Sequence, residues 1–186
     1  MRGKRDRTRR LYRVFPWNRG ARKGRPGHPL TIASGSQGFG RLDNPDLYGV
    51  VYASDSAVGA CAEVFGQVRD WDAGMLRISR VGPAALATLA LTDDRVLDLD
   101  DPRTLLDRGL RPSRVVTRQR EITQAWAAHI FAEQAWTGVS WWSFWEPDWT
   151  SLGVWEPRAL RVVRIEPLTM HTRALVEAAD ALNRVL

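Results

Sequence analysis

The sequence of residues 50–65 is Val-Val-Tyr-Ala-Ser-Asp-Ser-Ala-Val-Gly-Ala-Cys-Ala-Glu-Val-Phe. Its apolar start is typical of a buried strand, and Ser54 or Asp55 can cap a helix that continues to about Val68. Within the body of that helix Glu63 supplies a single carboxylate. The stretch therefore predicts a strand that leads into a helix, with Glu63 as the leading candidate for chemistry in the chain.

The pattern of the predicted helix places Glu63 away from its apolar stripe. Successive helical residues are about 100° apart, so one face collects the apolar side chains of Cys61, Val64, Phe65 and Val68. Glu63 falls on the opposite face, beside the small residues Gly59, Ala62 and Gly66. We expect these small neighbours to leave room for a ligand at the carboxylate. The alternative is an ordinary solvated surface glutamate.

Length and composition favour one domain in a reducing compartment. The chain has 186 residues, of which 44% are hydrophobic, which is enough for a single core without metal or disulfide. Cys61 is its only cysteine, so no disulfide can form within the chain and a zinc cluster would lack ligands. No stretch approaches the roughly 18 consecutive apolar residues of a membrane span. We therefore predict a soluble, cytoplasmic protein with no metal site and no membrane partner.

The charge of the chain is unevenly distributed. Of 27 basic and 21 acidic residues, eleven basic and one acidic lie in residues 1–25, which leaves 16 and 20 in the remainder. We predict that residues 1–10 are a basic, flexible tail and that residues 11–186 form the single domain. A basic tail can also bind a polyanion, so a nucleic-acid-binding module is an alternative of a different class. No aromatic residue among the first ten offers a stacking platform for bases.

Two arginines in short motifs upstream of Glu63 suggest a shared cleft. Arg13 belongs to Leu11-Tyr-Arg-Val14, and Arg41 belongs to Gly40-Arg-Leu-Asp-Asn-Pro45. With Tyr52 they could meet the glutamate in one cleft. Such a set suits a glycoside that bears phosphate and a positive charge, because planar guanidinium groups bind phosphate oxygens in pairs.

Tryptophan is abundant and clustered. Five of the nine tryptophans crowd into fifteen residues, namely Trp141, Trp142, Trp145, Trp149 and Trp155. They could fill a core, anchor a partner or stack on a ligand. Apolar patterns also predict a strand over 76–81 and an amphipathic helix after Thr169. The tryptophan segment and this terminal helix are candidate surfaces for self-association or partner docking.

In order along the chain, five segments resemble the RES domain family, which is named for its arginine, glutamate and serine. They are Leu11–Val14, Gly40–Pro45, Val51–Ser56, Ala62-Glu63 and Gly138–Ser143, and the resemblance spans residues 11–166. It implies an α+β fold similar to ADP-ribosyltransferases, with two small mixed sheets around an NAD cleft and flanking helices. Many members are toxins of toxin-antitoxin systems, which destroy NAD and are inhibited by an antitoxin that carries a helix-turn-helix DNA-binding part. DNA would thus be contacted only through the antitoxin.

The same resemblance implies roles for individual residues. Glu63 and Arg41 become the catalytic candidates, and Arg13, Arg41, Tyr52 and Ser143 the candidates for binding NAD. For the family serine, Ser140 and Thr123 are alternatives to Ser143.

The chemistry of NAD cleavage suits these residue types. Breaking the bond between nicotinamide and ribose expels a neutral base, so the leaving group does not need a proton from an acid. The oxocarbenium ion that develops on the ribose does need stabilisation, which a carboxylate can supply. NAD would be the substrate rather than a cofactor, and phosphate a candidate co-substrate. Water, phosphate and a protein all remain open as acceptors, and the last would make the enzyme an ADP-ribosyltransferase.

Overall fold

The structure is a computed structural model that describes residues 8–32 and 37–186. Residues 1–7 of the predicted tail lie outside this range. Arg9 and Arg10, which the prediction also assigned to the tail, belong to the first strand and pair with Leu91 and Ala90 of a neighbouring strand. The elements in chain order are β1 Arg9–Pro16, β2 Val51–Ser54, α1 Ala57–Phe65, β3 Ala84–Leu91, β4 Val96–Asp98, α2 Pro102–Asp107, α3 Pro112–Val115, α4 Arg120–Ala132, β5 Gly138–Trp142, β6 Thr150–Val154, β7 Leu160–Pro167 and α5 Arg173–Ala181. The described helices are too short and too polar to cross a lipid bilayer.

The strands form one mixed sheet in the order β4-β5-β6-β2-β1-β3-β7. β4 and β5 are parallel, and the other neighbours are antiparallel. The predicted α+β class with mixed strand directions is confirmed. The strands form one sheet and not the two separate sheets that we expected. The half β4-β5-β6-β2 is joined to the half β1-β3-β7 by one residue pair, Tyr12 with Ser54. The sheet therefore consists of two halves that separate on either side of this pair.

Helices cover both halves of the sheet. α1 and α5 pack on β1 and β3, where Cys61, Phe65 and Leu175 are fully buried. α4 packs on the other half, where Trp126 and Ile130 contact Val139 and its neighbours. Burial of this apolar surface supplies most of the driving force for the fold.

The start of α1 differs in detail from the prediction. Ser56, rather than Ser54 or Asp55, is the cap, since its hydroxyl accepts a hydrogen bond of 2.9 Å from the backbone of Gly59. Ser54 and Asp55 instead bond the backbone of Thr150. They therefore tie the end of β2 to β6, and the helix cap lies one residue after Asp55 and two after Ser54.

The strand predicted over residues 76–81 is wrong. A short 3-10 turn occupies Ala73–Leu76, and the chain that follows has only an isolated bridge between Ser79 and Gly82. Leu76 and Ile78 pack against the core as partly buried side chains. Their apolar character thus reflects packing on α1 and α5 and not membership of the sheet.

Candidate active site

A cleft of about 300 Å³ lies where the two halves of the sheet separate. β1, β2, α1, β5 and β6 all contribute to its walls, together with the loop that carries Arg41. Four of the five residues predicted from sequence line it, namely Arg13, Arg41, Tyr52 and Glu63. The expectation that folding gathers them around one cleft agrees with the structure.

Two serine hydroxyls hold the carboxylate of Glu63. Ser143 Oγ donates to Glu63 Oε1 at 2.6 Å, and Ser151 Oγ donates to the same oxygen at 3.1 Å. No described residue donates a hydrogen bond to Oε2. One oxygen is therefore fixed by the protein, and the other is available to a ligand in the cleft.

The geometry separates the three candidates for the family serine. Ser140 Oγ donates to Asp98, and Thr123 Oγ donates to the backbone of Arg120. Of these three candidates Ser143 alone contacts Glu63, and it also accepts a hydrogen bond from the backbone of Trp145. Its side chain thus orients the carboxylate, and its predicted contact with NAD stays a prediction. Ser151 was not singled out by sequence.

The small neighbours of Glu63 do not leave room for a ligand, so that expectation is wrong. A Cβ atom on Gly66 would lie 2.4 Å from the Trp145 ring, and one on Gly59 would lie 2.6 Å from Ser54 Oγ. These glycines instead let neighbouring side chains approach the helix. The cleft opens beside Val64, which is 38% exposed although the helical pattern placed it on the buried stripe.

Arg41 is anchored by backbone carbonyls. Its Nη1 donates to the carbonyl oxygens of Val115 at 2.5 Å and Thr117 at 3.1 Å, and its guanidinium lies over the Trp141 ring, 5.9 Å from the centroid. Burial and, to a smaller extent, nearby Arg120 lower the pKa of Arg41 to about 10, and Glu63 acts in the opposite direction. Arg41 therefore stays protonated at neutral pH.

Arg13 lies at the base of the cleft on β1. Its Nη1 donates to the backbone carbonyl of Tyr52 at 3.0 Å, and its buried Nε has no hydrogen-bond partner. Burial lowers the pKa of this side chain to about 10. Among the described residues, no carboxylate forms an ion pair with Arg13 or Arg41, so the cleft has a surplus of positive charge.

The hydroxyl of Tyr52 is committed to the loop that presents Arg41. It donates to Asp43 Oδ1 at 2.7 Å and accepts from the backbone of Leu42 at 2.9 Å. Burial and the hydrogen bond to Asp43 raise the pKa of Tyr52, so it stays protonated. Tyr52 therefore shapes the cleft wall with its ring, while its hydroxyl positions the loop.

Asp43 is the centre of that loop and was missed by sequence. It is 2% exposed, and its Oδ2 accepts from the backbone of Gly38 at 2.8 Å and of Gly40 at 2.7 Å. A Cβ atom on Gly40 would lie 2.3 Å from the Tyr52 hydroxyl, so only glycine fits there. The sequence signal for Asp43 was its position two residues after Arg41, within the Gly40–Pro45 motif.

The five clustered tryptophans serve mainly as scaffold. Trp141 and Trp155 are buried in the core beside α4, and Trp145 covers Gly66. Trp141 is the one that lines the cleft, under Arg41 and edge-on to Tyr52. In residues 8–32 and 37–186, no group of three metal-ligating side chains lies together.

Comparison with known proteins identifies the family. Residues 10–175 match the RES domain. This chain belongs to the RES domain family. The fold of this RES domain is similar to a chain of the crystal structure of the M. tuberculosis MbcT-MbcA toxin-antitoxin complex, with a TM-score of 0.63 and 20% sequence identity. That similarity covers 95% of this chain and 90% of the other. No curated protein sequence matches significantly.

Proposed function

We propose that this RES domain is a toxin-type enzyme that degrades NAD by cleaving the bond between nicotinamide and ribose. The observation that carries the proposal is the cleft itself, which joins one carboxylate with a free oxygen to arginines without acidic partners. A dinucleotide with a cationic nicotinamide and an anionic pyrophosphate matches this distribution of charge.

Glu63 supplies the stabilising negative charge. As the bond to nicotinamide breaks, positive charge develops on the ribose, and a fixed carboxylate stabilises it without having to reorganise. Oε1 is held by Ser143 and Ser151, so Oε2 faces the substrate or orients the acceptor. Nicotinamide leaves as a neutral base and needs no proton from the protein.

Arg13 and Arg41 bind the pyrophosphate. Both remain charged at neutral pH, and each has guanidinium nitrogens that no described residue occupies. Charge-assisted hydrogen bonds from guanidinium to phosphate oxygens are roughly twice as strong as neutral ones. The substrate is NAD rather than a resident cofactor, and water or phosphate completes the reaction.

The partners of this RES domain are part of the proposal. The similar fold occurs in a toxin-antitoxin complex, which supports a cognate antitoxin, here of the helix-turn-helix type, acting in the cytoplasm. The proposal also includes self-association of this chain as a second assembly. Transfer of ADP-ribose to a protein would use the same cleft and differs only in its product.

The direct test is to incubate the purified chain with NAD, with and without phosphate, and to follow nicotinamide by NMR. We expect release of free nicotinamide, with ADP-ribose as the second product if water is the acceptor and its 1″-phosphate if phosphate is. ADP-ribose attached to protein would favour the transferase. If the folded chain releases no nicotinamide under any of these conditions, the proposed function is wrong.

Ser151→Ala is expected to lower kcat about tenfold and to leave KM for NAD nearly unchanged. The substitution removes one hydrogen bond to the charged carboxylate, and such a bond contributes roughly 1.5–3 kcal/mol. Because Glu63 is accessible to solvent, we expect a contribution at the lower end of this range. Steady-state kinetics measure both constants. Ser151→Thr retains the hydroxyl and should recover activity.

Ser140→Ala is the matched control for this prediction, because Ser140 is a buried serine of the adjacent strand β5 whose hydroxyl bonds Asp98 instead. It should keep kcat within about twofold of the unmodified chain. Equal kcat values for the Ser151 and Ser140 variants would show that Ser151 does not position Glu63.

A further inference from the structure

Arg120 contributes a second guanidinium to the wall of the cleft beside Arg41. It is the first residue of α4, and its Nη1 donates to the carbonyl oxygen of Thr117 at 3.2 Å. Arg41 Nη1 donates to that same oxygen at 3.1 Å. The two cationic groups are therefore neighbours around a single oxygen atom.

Two adjacent positive charges repel each other, and an anion bound between them offsets this repulsion. No described carboxylate forms an ion pair with either Arg41 or Arg120. After burial, the nearby Arg120 guanidinium is the main cause that lowers the pKa of Arg41. The pair is held together by the carbonyls of Val115, Thr117 and Phe39, which bind only some of its nitrogens.

Three guanidinium nitrogens of the pair have no acceptor among the described residues, namely Arg41 Nε, Arg41 Nη2 and Arg120 Nη2. Planar guanidinium groups match the spacing of phosphate oxygens, and two of them can neutralise a doubly charged anion. The hydrogen bonds to backbone carbonyls also hold both guanidinium groups in place before a ligand binds, which reduces the conformational entropy lost on binding.

We propose that Arg41 and Arg120 together form a binding site for a doubly charged phosphoryl group, with Arg120 as the residue that completes it. This deepens the proposed function and rests on it for the identity of the substrate. The phosphoryl oxygens belong either to the pyrophosphate of the dinucleotide or to inorganic phosphate that acts as the acceptor.

Arg120 also anchors the loop that carries Arg41, and that role must be separated from binding. Its Nε donates to the carbonyl of Phe39 at 3.1 Å. Gln124, one turn further along α4, holds the same loop through the carbonyls of Gly38 and Gly40, both at 3.0 Å. Gln124→Ala therefore loosens the loop without removing a charge, and it provides the control that distinguishes the two roles.

The test is isothermal titration of the purified chain with inorganic phosphate and with inorganic pyrophosphate at constant ionic strength. Arg120→Gln is expected to weaken binding of at least one of them about tenfold to a hundredfold, the effect of losing charge-assisted hydrogen bonds. Arg120→Lys keeps the charge and should recover part of this affinity. Gln124→Ala and Arg114→Gln, which removes an exposed charge from α3, should each stay within about threefold.

The two sources of the phosphoryl group give different results. Arg120-dependent binding of pyrophosphate alone assigns the site to the dinucleotide, whereas Arg120-dependent binding of inorganic phosphate assigns it to the acceptor, and either result supports the site. Equal affinity of Arg120→Gln and the unmodified chain for both anions overturns it, as does an equal loss in Gln124→Ala. Because titration needs no turnover, Arg120-dependent binding without release of nicotinamide would contradict the proposed function and leave the anion site standing.

Discussion

Glu63→Gln is expected to lower kcat/KM for NAD cleavage about 10³-fold while the fold remains intact. The amide keeps nearly the same shape, and its oxygen can still accept hydrogen bonds from Ser143 and Ser151. It lacks the negative charge that stabilises the developing oxocarbenium ion. Removal of one preorganised electrostatic group from an active site typically lowers kcat by about 10²–10³, and a full charge belongs at the upper end.

The measurement is the rate of nicotinamide release by NMR, together with thermal unfolding of both proteins. Because Glu63 is accessible to solvent, its replacement should shift Tm by no more than a few degrees. Glu121→Gln removes the same charge from an exposed position on α4 and should leave the rate unchanged. A Glu63→Gln protein that retains more than a tenth of the activity would mean that the carboxylate does not stabilise the transition state.

The same substitution predicts a cellular effect. If the chain consumes NAD, its expression without an antitoxin should arrest growth, and the Glu63→Gln variant should not. The two proteins differ only in one carboxylate oxygen that is replaced by an NH2 group, so expression levels should be comparable and can be checked by immunoblotting.

Local patterns predicted much of the site because its motifs stand where strands and helices end. Residues 50–65 contain all of β2 and all of α1, and their apolar pattern located both elements. The β2-α1 unit carries Tyr52 and Glu63 into the cleft, and the adjacent strand β1 carries Arg13. Order along the chain was therefore enough to predict that these residues meet.

Contacts between distant segments could not be read from those patterns. β5 and β6 lack a clear alternation of apolar and polar residues, since Trp141 and Trp142 are successive and both faces of the sheet are covered. Consequently nothing marked Ser151, which reaches Glu63 only because β6 pairs with β2. Arg120 was also missed, because its partner in the cleft is 79 positions earlier in the sequence. The glycines beside Glu63 led to a wrong prediction of ligand space for the same reason, because tryptophans from a later segment of the chain fill the space next to them.

Asp43→Ala is expected to lower the free energy of unfolding by about 3 kcal/mol and NAD cleavage by about 10²-fold. The carboxylate accepts three hydrogen bonds in a buried position, from Tyr52, Gly38 and Gly40. Each donor left without an acceptor costs about 1 kcal/mol or more. The loop would lose the contacts that place Arg41 over the cleft, so substrate binding should weaken along with stability.

Comparison with Tyr52→Phe separates the loop from the ring. Phenylalanine keeps the wall of the cleft and leaves the two backbone hydrogen bonds of Asp43 intact. We expect it to cost about 1–2 kcal/mol of stability and less than tenfold in activity, since one hydrogen bond to Asp43 and one from Leu42 are lost.

Asp72→Ala serves as the exposed counterpart, because Asp72 also accepts a backbone hydrogen bond but from Gly74 in a solvated turn. It should cost less than about 1 kcal/mol. Denaturant unfolding gives the stabilities, and KM for NAD reports on Arg41. If Asp43→Ala were no more damaging than Asp72→Ala, the buried carboxylate would not hold the loop, and the position of Arg41 would depend on its own contacts with Val115 and Thr117. Asp43→Ala leaves three donors without an acceptor, Tyr52→Phe leaves one at buried Leu42, and Asp72→Ala leaves one in a solvated turn, which gives the expected order of damage.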